Sequence, residues 1–266
     1  TVIIRQIDFM KNKDLGFDKE FILSIPLGIS NSDNTKIYKT LKNQIMQYPK
    51  VLNVTGAWTH PFRFGTSSDS VYYKGRRLDE DIPVSITSVD FDYIETFKIN
   101  MLEGRSYKQE RGSERGNWIV NEQFAELMGG ESPLNQELKI GDSRGKIIGL
   151  MKDFHIAPVN QAIIGPIILF HHPMVNNIFV RIDPTDIPST LSFIEQEWAK
   201  VNPALPFSFK FLDEEFNILF QDIDNTSRAV KYFTVFSIFI ACLGLFGLAS
   251  FSAERLFSSA LSFFIS

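Results

Sequence analysis

Tyr232-Phe233-Thr234-Val235-Phe236-Ser237-Ile238-Phe239-Ile240-Ala241-Cys242-Leu243-Gly244-Leu245-Phe246-Gly247-Leu248-Ala249-Ser250-Phe251-Ser252-Ala253 carries no formal charge, and nearly every residue is apolar or small. At ~1.5 Å per residue these positions cover ~33 Å as a helix, enough for a hydrocarbon core of ~30 Å. Buried helices of water-soluble proteins seldom run so far without a charge. Arg228 and Lys231 flank one end, and Glu254 and Arg255 the other. The stretch therefore predicts a membrane span. Ala241, Gly244, Gly247 and Ser250 recur at every third position, and such small side chains let a second helix backbone approach closely. They are the expected helix-packing residues. The span holds no Asp, Glu, Lys, Arg or His, so it offers no intramembrane proton relay.

The preceding 200-odd positions (roughly) are long enough to bury a sizeable core. The net charge of -4 and the isoelectric point near 5.6 argue against a nucleic-acid partner, which needs a basic face against phosphates. The one cysteine, Cys242, falls inside the expected span. The chain begins Thr1-Val2-Ile3-Ile4 and turns polar at Arg5, unlike a signal peptide. Residues 1–7 are expected to be the end of a preceding membrane helix.

Between these ends the pattern is α+β. The apolar run 21–27 predicts a strand. Ile37, Leu41, Ile45 and Tyr48 predict a helix over 35–48, which Pro49 stops. Residues 51–54, 71–73 and 83–87 are expected strands. Ser88 is a candidate cap for a short helix carrying Phe91, Ile94 and Phe97 on one face. Residues 118–120 run into Asn121, a good helix cap, and Gly129-Gly130 ends the helix that follows. Residues 138–140 and 146–151 flank Gly141-Asp142 as a hairpin. Residues 166–170, 177–182 and 207–212 are further strands. Pro188 opens a helix with Leu191, Ile194, Trp198 and Val201 on one face, and Asp213 caps another that runs without a turn signal toward the span. Strands from both ends of the soluble part are expected to pair in one mixed sheet.

Several short motifs in this order resemble a known family: Asp14-Leu15-Gly16-Phe17-Asp18-Lys19-Glu20; Asp92-Tyr93-Ile94 with Thr96-Phe97; Gly104-Arg105; Val120-Asn121-Glu122; Ile148-Gly149 with Lys152-Asp153-Phe154-His155; Phe211-Leu212-Asp213-Glu214; and Ala241-Cys242-Leu243-Gly244-Leu245-Phe246-Gly247-Leu248-Ala249. Together, over residues 1 to about 255, they resemble the extracytoplasmic core and second membrane helix of FtsX-like, MacB-type ABC transporter permeases. The resemblance implies a two-lobed MacB-like periplasmic domain followed by a transmembrane helix. A porter-like lobe would use residues 8–84 and 176–222, an inserted lobe 85–175, and a stalk and membrane helix 223–253. It also implies a bacterial inner-membrane subunit whose partners are an ABC ATPase, other permease helices or a second permease copy, membrane lipid and an envelope or periplasmic protein. In the family, ATP hydrolysed in the cytoplasm moves the outer domain, for export or for envelope remodelling. Residues 254–266 are expected to be an atypical tail, truncated or altered: after Glu254-Arg255 the family continues with a basic cytoplasmic segment, whereas Leu256 to Ser266 is apolar, Ser-rich and uncharged.

Candidate chemistry is sparse. No Gly-x-x-x-x-Gly-Lys-Ser/Thr loop exists for ATP, and no Gly-x-Ser-x-Gly elbow for a serine nucleophile. Asp153 and His155 lie on one face of a strand but lack a third metal ligand, and His171 and His172 are expected to face opposite ways. Asp90 and Asp92, two apart at a helix start, are expected to diverge. The loop 58–64, with Trp58, His60, Pro61 and Phe62, either covers the core or meets a partner. No catalytic, cofactor or metal residue is assigned. A membrane-anchored sensor or scaffold that binds an envelope partner is the alternative reading.

Overall fold

A computed structural model describes residues 18–28, 32–61, 71–73, 76–77, 84–111, 114–154, 165–172, 175–216, 218, 232–234, 236–245, 247 and 249 of the 266-residue chain. The chain divides into two units, one of residues 12–218 and one of residues 1–11 with 219–266.

In the first unit twelve described strands join in one mixed sheet: β1 (Ile22–Pro26), β2 (Val51–Ala57), β3 (Val71–Tyr73), β4 (Arg76–Arg77), β5 (Ser85–Val89), β6 (Met101–Gly104), β7 (Asn117–Asn121), β8 (Glu137–Ile140), β9 (Ser143–Met151), β10 (Ile167–His171), β11 (Asn177–Ile182) and β12 (Lys210–Phe211). The order is β12-β1-β11-β2-β5-β10-β7-β9-β8-β3-β4, with β6 added on β9. Strands from both ends of the unit do pair, since β1 lies antiparallel between β11 and β12. Most neighbours are antiparallel, but β5–β10 and β7–β9 are parallel.

Two apolar cores lie along this sheet. The first gathers Leu23, Ile25, Val54, Ile178 and Val180 from the strands, together with Tyr38, Leu41 and Ile45 of helix α1 (Ser32–Ile45). Helix α4 (Ile187–Val201) adds Ile194 and Trp198. The two helices pack together, with Tyr48 just beyond α1 stacked on Phe193 at a ring distance of 4.6 Å. The Asp186 side chain accepts from Ser189 N–H at 3.3 Å and caps α4 one turn before the apolar stripe begins. The second core is built from Trp118, Val120, Leu138, Ile147 and Ile168 with Phe124 and Met128 in and after helix α3 (Glu122–Leu127); Val71 and Val84 also belong to it. Asn121 caps α3 by accepting from Phe124 N–H at 3.2 Å, and Gly129 and Gly130, both at positive φ, end it. The expected hairpin forms with Ile140 opposite Ser143 across Gly141-Asp142. Its long strand needs glycine at 145, where a Cβ would sit 1.3 Å from the Gly116 carbonyl oxygen.

Some boundaries differ from expectation. The strand expected at 83–87 is Ser85–Val89, so Ser88 lies inside β5 and not at a helix start. The next helix, α2 (Tyr93–Phe97), begins instead after Asp92, which takes the left-handed region at φ 67°. Only Lys210–Phe211 of the strand expected over 207–212 pairs, and the chain is helical at 212–216 and 218. Residues 219–231, where a continuous joining helix was expected, lie outside the described residues, as do 1–7 and 254–266.

In the second unit, residues 232–234, 236–245, 247 and 249 are helical and exposed. Ser237 donates back to the Phe233 carbonyl at 2.8 Å, so its hydroxyl is satisfied within the helix. Among the described residues no helix is long and apolar enough to cross a membrane.

Candidate functional site: the junctions of the folded head

Among the polar clusters of the described residues in the first unit, one lies where the two cores meet and another where the chain enters and leaves the sheet. Asp90 occupies the first. It follows β5, whose last residue Val89 pairs with Ala57 of β2 in the one register pair those strands share. The Asp90 carboxylate is buried and accepts a short hydrogen bond from the Tyr38 hydroxyl. Lys42 Nζ lies 3.2 Å from its Oδ2, and His171 Nε2 3.4 Å from its Oδ1. Tyr38 and Lys42 stand one turn apart on α1, while His171 ends β10. The carboxylate thus ties a helix of the first core to strands leading into the second. Burial alone would raise its pKa. The His171 hydrogen bond, the Lys42 charge and the Tyr38 hydrogen bond outweigh that and hold it at about 2. The same burial and the Asp90 charge push the Tyr38 phenol well up.

Asp92 corrects the expectation that it would diverge from Asp90. Its Oδ2 lies 3.1 Å from the same Lys42 Nζ. The divergence argument assumed a helix across 90–92, whereas Asp92 sits in the left-handed region and turns back toward α1. His171 stacks on Phe91 at 4.1 Å, and Tyr107 stands 6.0 Å from it while donating to the Leu169 carbonyl at 2.8 Å. His172 points elsewhere, its ring 6.3 Å from that of Phe170.

The second concentration lies at the β1–β11–β12 edge. Arg181 of β11 is buried; its Nη1 lies 3.1 Å from Asp18 Oδ2, and it donates to the carbonyls of Thr96, Asp18 and Glu20 at 2.7, 2.8 and 3.2 Å. Lys98 adds a contact to Asp18 at 2.7 Å. Nearby in the same edge, His60 Nε2 meets Glu215 Oε2 at 2.5 Å, and Ser24 Oγ lies 3.4 Å from that same nitrogen. A serine-nucleophile relay needs hydroxyl and carboxylate on opposite ring nitrogens, so this trio is a structural tie. His60 also packs edge-on against the buried Phe179 at 5.6 Å, on the face of β11 opposite Ile178 and Val180 of the first core, whereas Trp58 remains exposed. Phe62 lies outside the described residues.

Asp153 caps α3 from outside, accepting from Asn121 Nδ2 at 2.8 Å and Gln123 N–H at 3.2 Å. Burial and the Glu122 carboxylate raise its pKa against those bonds. His155 lies outside the described residues. Among the described residues no three His, Cys, Asp or Glu side chains come together to hold a metal ion. Ala241, Gly244 and Gly247 are exposed, with no atom within 4 Å of a Cβ built on either glycine; Ser250 is outside the described residues. Sequence reasoning missed Tyr38, Lys42, Arg181 and Glu215. The one available signal was the Tyr38/Lys42 spacing of one helical turn, which puts a cation beside an apolar face.

Residues 22–194 match the family of the MacB-like periplasmic core domain. The fold is similar to the periplasmic region of MacB from Actinobacillus actinomycetemcomitans, with a TM-score of 0.55 and 12% identity over 79% of this chain and 95% of that one. It is also similar to a domain of a provisionally named permease protein from Porphyromonas gingivalis (TM-score 0.50, 17% identity, 73% of this chain and 92% of that one). The extracellular domain of the noncanonic ABC-type transporter YknZ from Gram-positive bacteria matches at a TM-score of 0.49 and 16% identity, over 71% and 98% of the two chains. No curated protein sequence matches the chain.

Proposed function

Because this chain belongs to the MacB-like periplasmic core domain family, among the FtsX-like, MacB-type ABC transporter permeases, we propose that it is a non-catalytic permease subunit which converts cytoplasmic ATP hydrolysis into motion of its extracytoplasmic head. The motion would serve export or envelope remodelling. The head is the first unit. The membrane helix is the apolar stretch of residues 232–253 in a bacterial inner membrane, and an ABC ATPase is the partner that hydrolyses ATP. An envelope or periplasmic protein would meet the head, and lipid and further permease helices would surround the span.

The observation that carries this reading is the union, in one chain, of that head with an uncharged helix presenting apolar side chains all round. Tyr232, Phe233, Phe236, Ile238, Phe239, Ile240, Leu243 and Leu245 are all more than half exposed. Water disfavours so large an apolar surface, and a bilayer removes the penalty. The stripe of Ala241, Gly244, Gly247 and Ser250 is the face we assign to contact with a neighbouring helix. The two cores support a two-lobed head, porter-like over 8–84 and 176–222 with 85–175 inserted, although Val71 and Val84 pack with the insertion. The Asp90 cluster lies at their seam.

Affinity purification of the full chain from detergent-solubilised native membranes tests the proposal. An ATP-hydrolysing subunit is expected to accompany it. Recovery of the chain in the alkaline wash of the membranes would refute the membrane reading, and a kinase in place of an ATPase would favour a sensor.

A further inference from the structure

The chain enters the sheet through residues 18–21 into β1 and leaves it through β12 into the helical residues 212–216. Antiparallel pairing places these two connections side by side, because Leu23 near the start of β1 lies opposite Phe211 at the end of β12. Each connection is then fixed independently to the head. The incoming one is held by the Arg181 fork on Asp18 and Glu20, by Asp18 N–H donating to the Phe97 carbonyl at 2.8 Å, and by Ile182 N–H donating to the Phe21 carbonyl at 2.9 Å. The outgoing one is held by burial of Leu212 and Phe216 and by the His60–Glu215 pair. The two are also tied to each other: Lys19 Nζ stands over the Phe216 ring, 5.1 Å from its centre.

We infer that residues 18–21 and 210–216 form one clamp, in which Lys19 on Phe216 makes the two membrane connections move as a single body against the head. Lys19 is the positioning residue of that clamp. The inference rests on reading these segments as the connections to the membrane, and it deepens the proposed function by naming where motion crosses into the head. A merely local role for each contact predicts something different. Loosening the outgoing segment would then leave the incoming one untouched, since Arg181, Phe97 and Ile182 hold the latter without it.

Amide hydrogen exchange on the full chain in lipid nanodiscs separates the two. Glu215→Gln removes the anionic partner of His60 one residue from Phe216. It is expected to speed exchange at 210–216 and, through Lys19, to speed exchange at 18–21 by about two- to fivefold, the range a half-exposed cation–ring contact supports. Adding Lys19→Ala is expected to abolish the second response and keep the first. Amides of α4 report that the head stays folded. Unchanged exchange at 18–21 in Glu215→Gln overturns the inference, as does a response there that persists with Lys19→Ala, or no response at 210–216 at all. None of these readouts requires an ATPase. A chain that shows the cross-response yet brings no ATPase from the membrane keeps the clamp and loses the transporter reading.

Discussion

Replacing Asp90 by Asn tests whether the seam cluster stabilises the head through charge. The neutral amide can still meet Tyr38, but it gives up the ion pair with Lys42 and the contact with His171. The carboxylate's pKa falls from an ordinary 3.8 to about 2 in the folded chain. At ~1.4 kcal/mol for each tenfold change, that corresponds to about 2–3 kcal/mol of stability tied to ionisation. Because the folded value is the lower one, the contribution is fully present above about pH 4 and is lost as pH falls through about 2. Asp90→Asn is therefore expected to be less stable than the parent by about 2–3 kcal/mol at pH 7, and the two stability curves are expected to converge between pH 4 and pH 2. Urea unfolding of the full chain in a non-ionic detergent, read by tryptophan fluorescence, measures this directly. All three tryptophans, Trp58, Trp118 and Trp198, lie in the first unit. A gap that stays constant from pH 7 to pH 2 would refute the electrostatic argument and leave only a packing defect. A gap below about 0.5 kcal/mol at pH 7 would refute the assignment of the cluster as a stabilising seam.

The remaining predictions concern packing and coupling. Trp198→Ala, which empties the centre of the first core and frees the Leu205 carbonyl that accepts from its indole N–H at 2.9 Å, is expected to cost about 3–5 kcal/mol in the same unfolding assay. Gly145→Ala drives a Cβ into the Gly116 carbonyl and is expected to disrupt the β7–β9 pairing, read as lost exchange protection at 117–121 while α1 and α4 keep theirs. Gly244→Leu, on the proposed helix-packing face, is expected to uncouple ATPase turnover from transport in reconstituted membranes holding the partner ATPase; unchanged coupling would remove that face from the mechanism.

What could be read from the sequence was what neighbouring residues decide among themselves. The spacing of Ile37, Leu41 and Ile45 announced α1, Asn121 announced the start of α3, and Gly141-Asp142 announced the β8–β9 hairpin. The seam was hidden because its members come from three distant segments: Tyr38 and Lys42 lie 52 and 48 residues before Asp90, and His171 lies 81 after it. Periodicity carries no trace of the parallel β5–β10 pairing that brings His171 alongside. The misreading of Asp92 has a local cause. A non-glycine residue at φ 67° is an exception to the rule that places side chains two apart on divergent helix faces. Arg181 was equally invisible, for in a strand otherwise full of Ile, Phe and Val it reads as an outward-facing residue.

Along the sheet, adjacent strands share between two and six paired residues, except where β2 meets β5 with Ala57 opposite Val89 alone. Among the described residues, the ladder there is the two backbone bonds of that rung, Trp58 N–H to Ser88 O at 3.0 Å and Asp90 N–H to Gly56 O at 2.8 Å. A ribbon bends and twists most readily at its narrowest width. Between β2 and β5 the sheet of the head therefore narrows to an isthmus, and one residue past that neck the Asp90 carboxylate braces it like a guy-wire, tied to Tyr38 and Lys42 on one side and to His171 on the other.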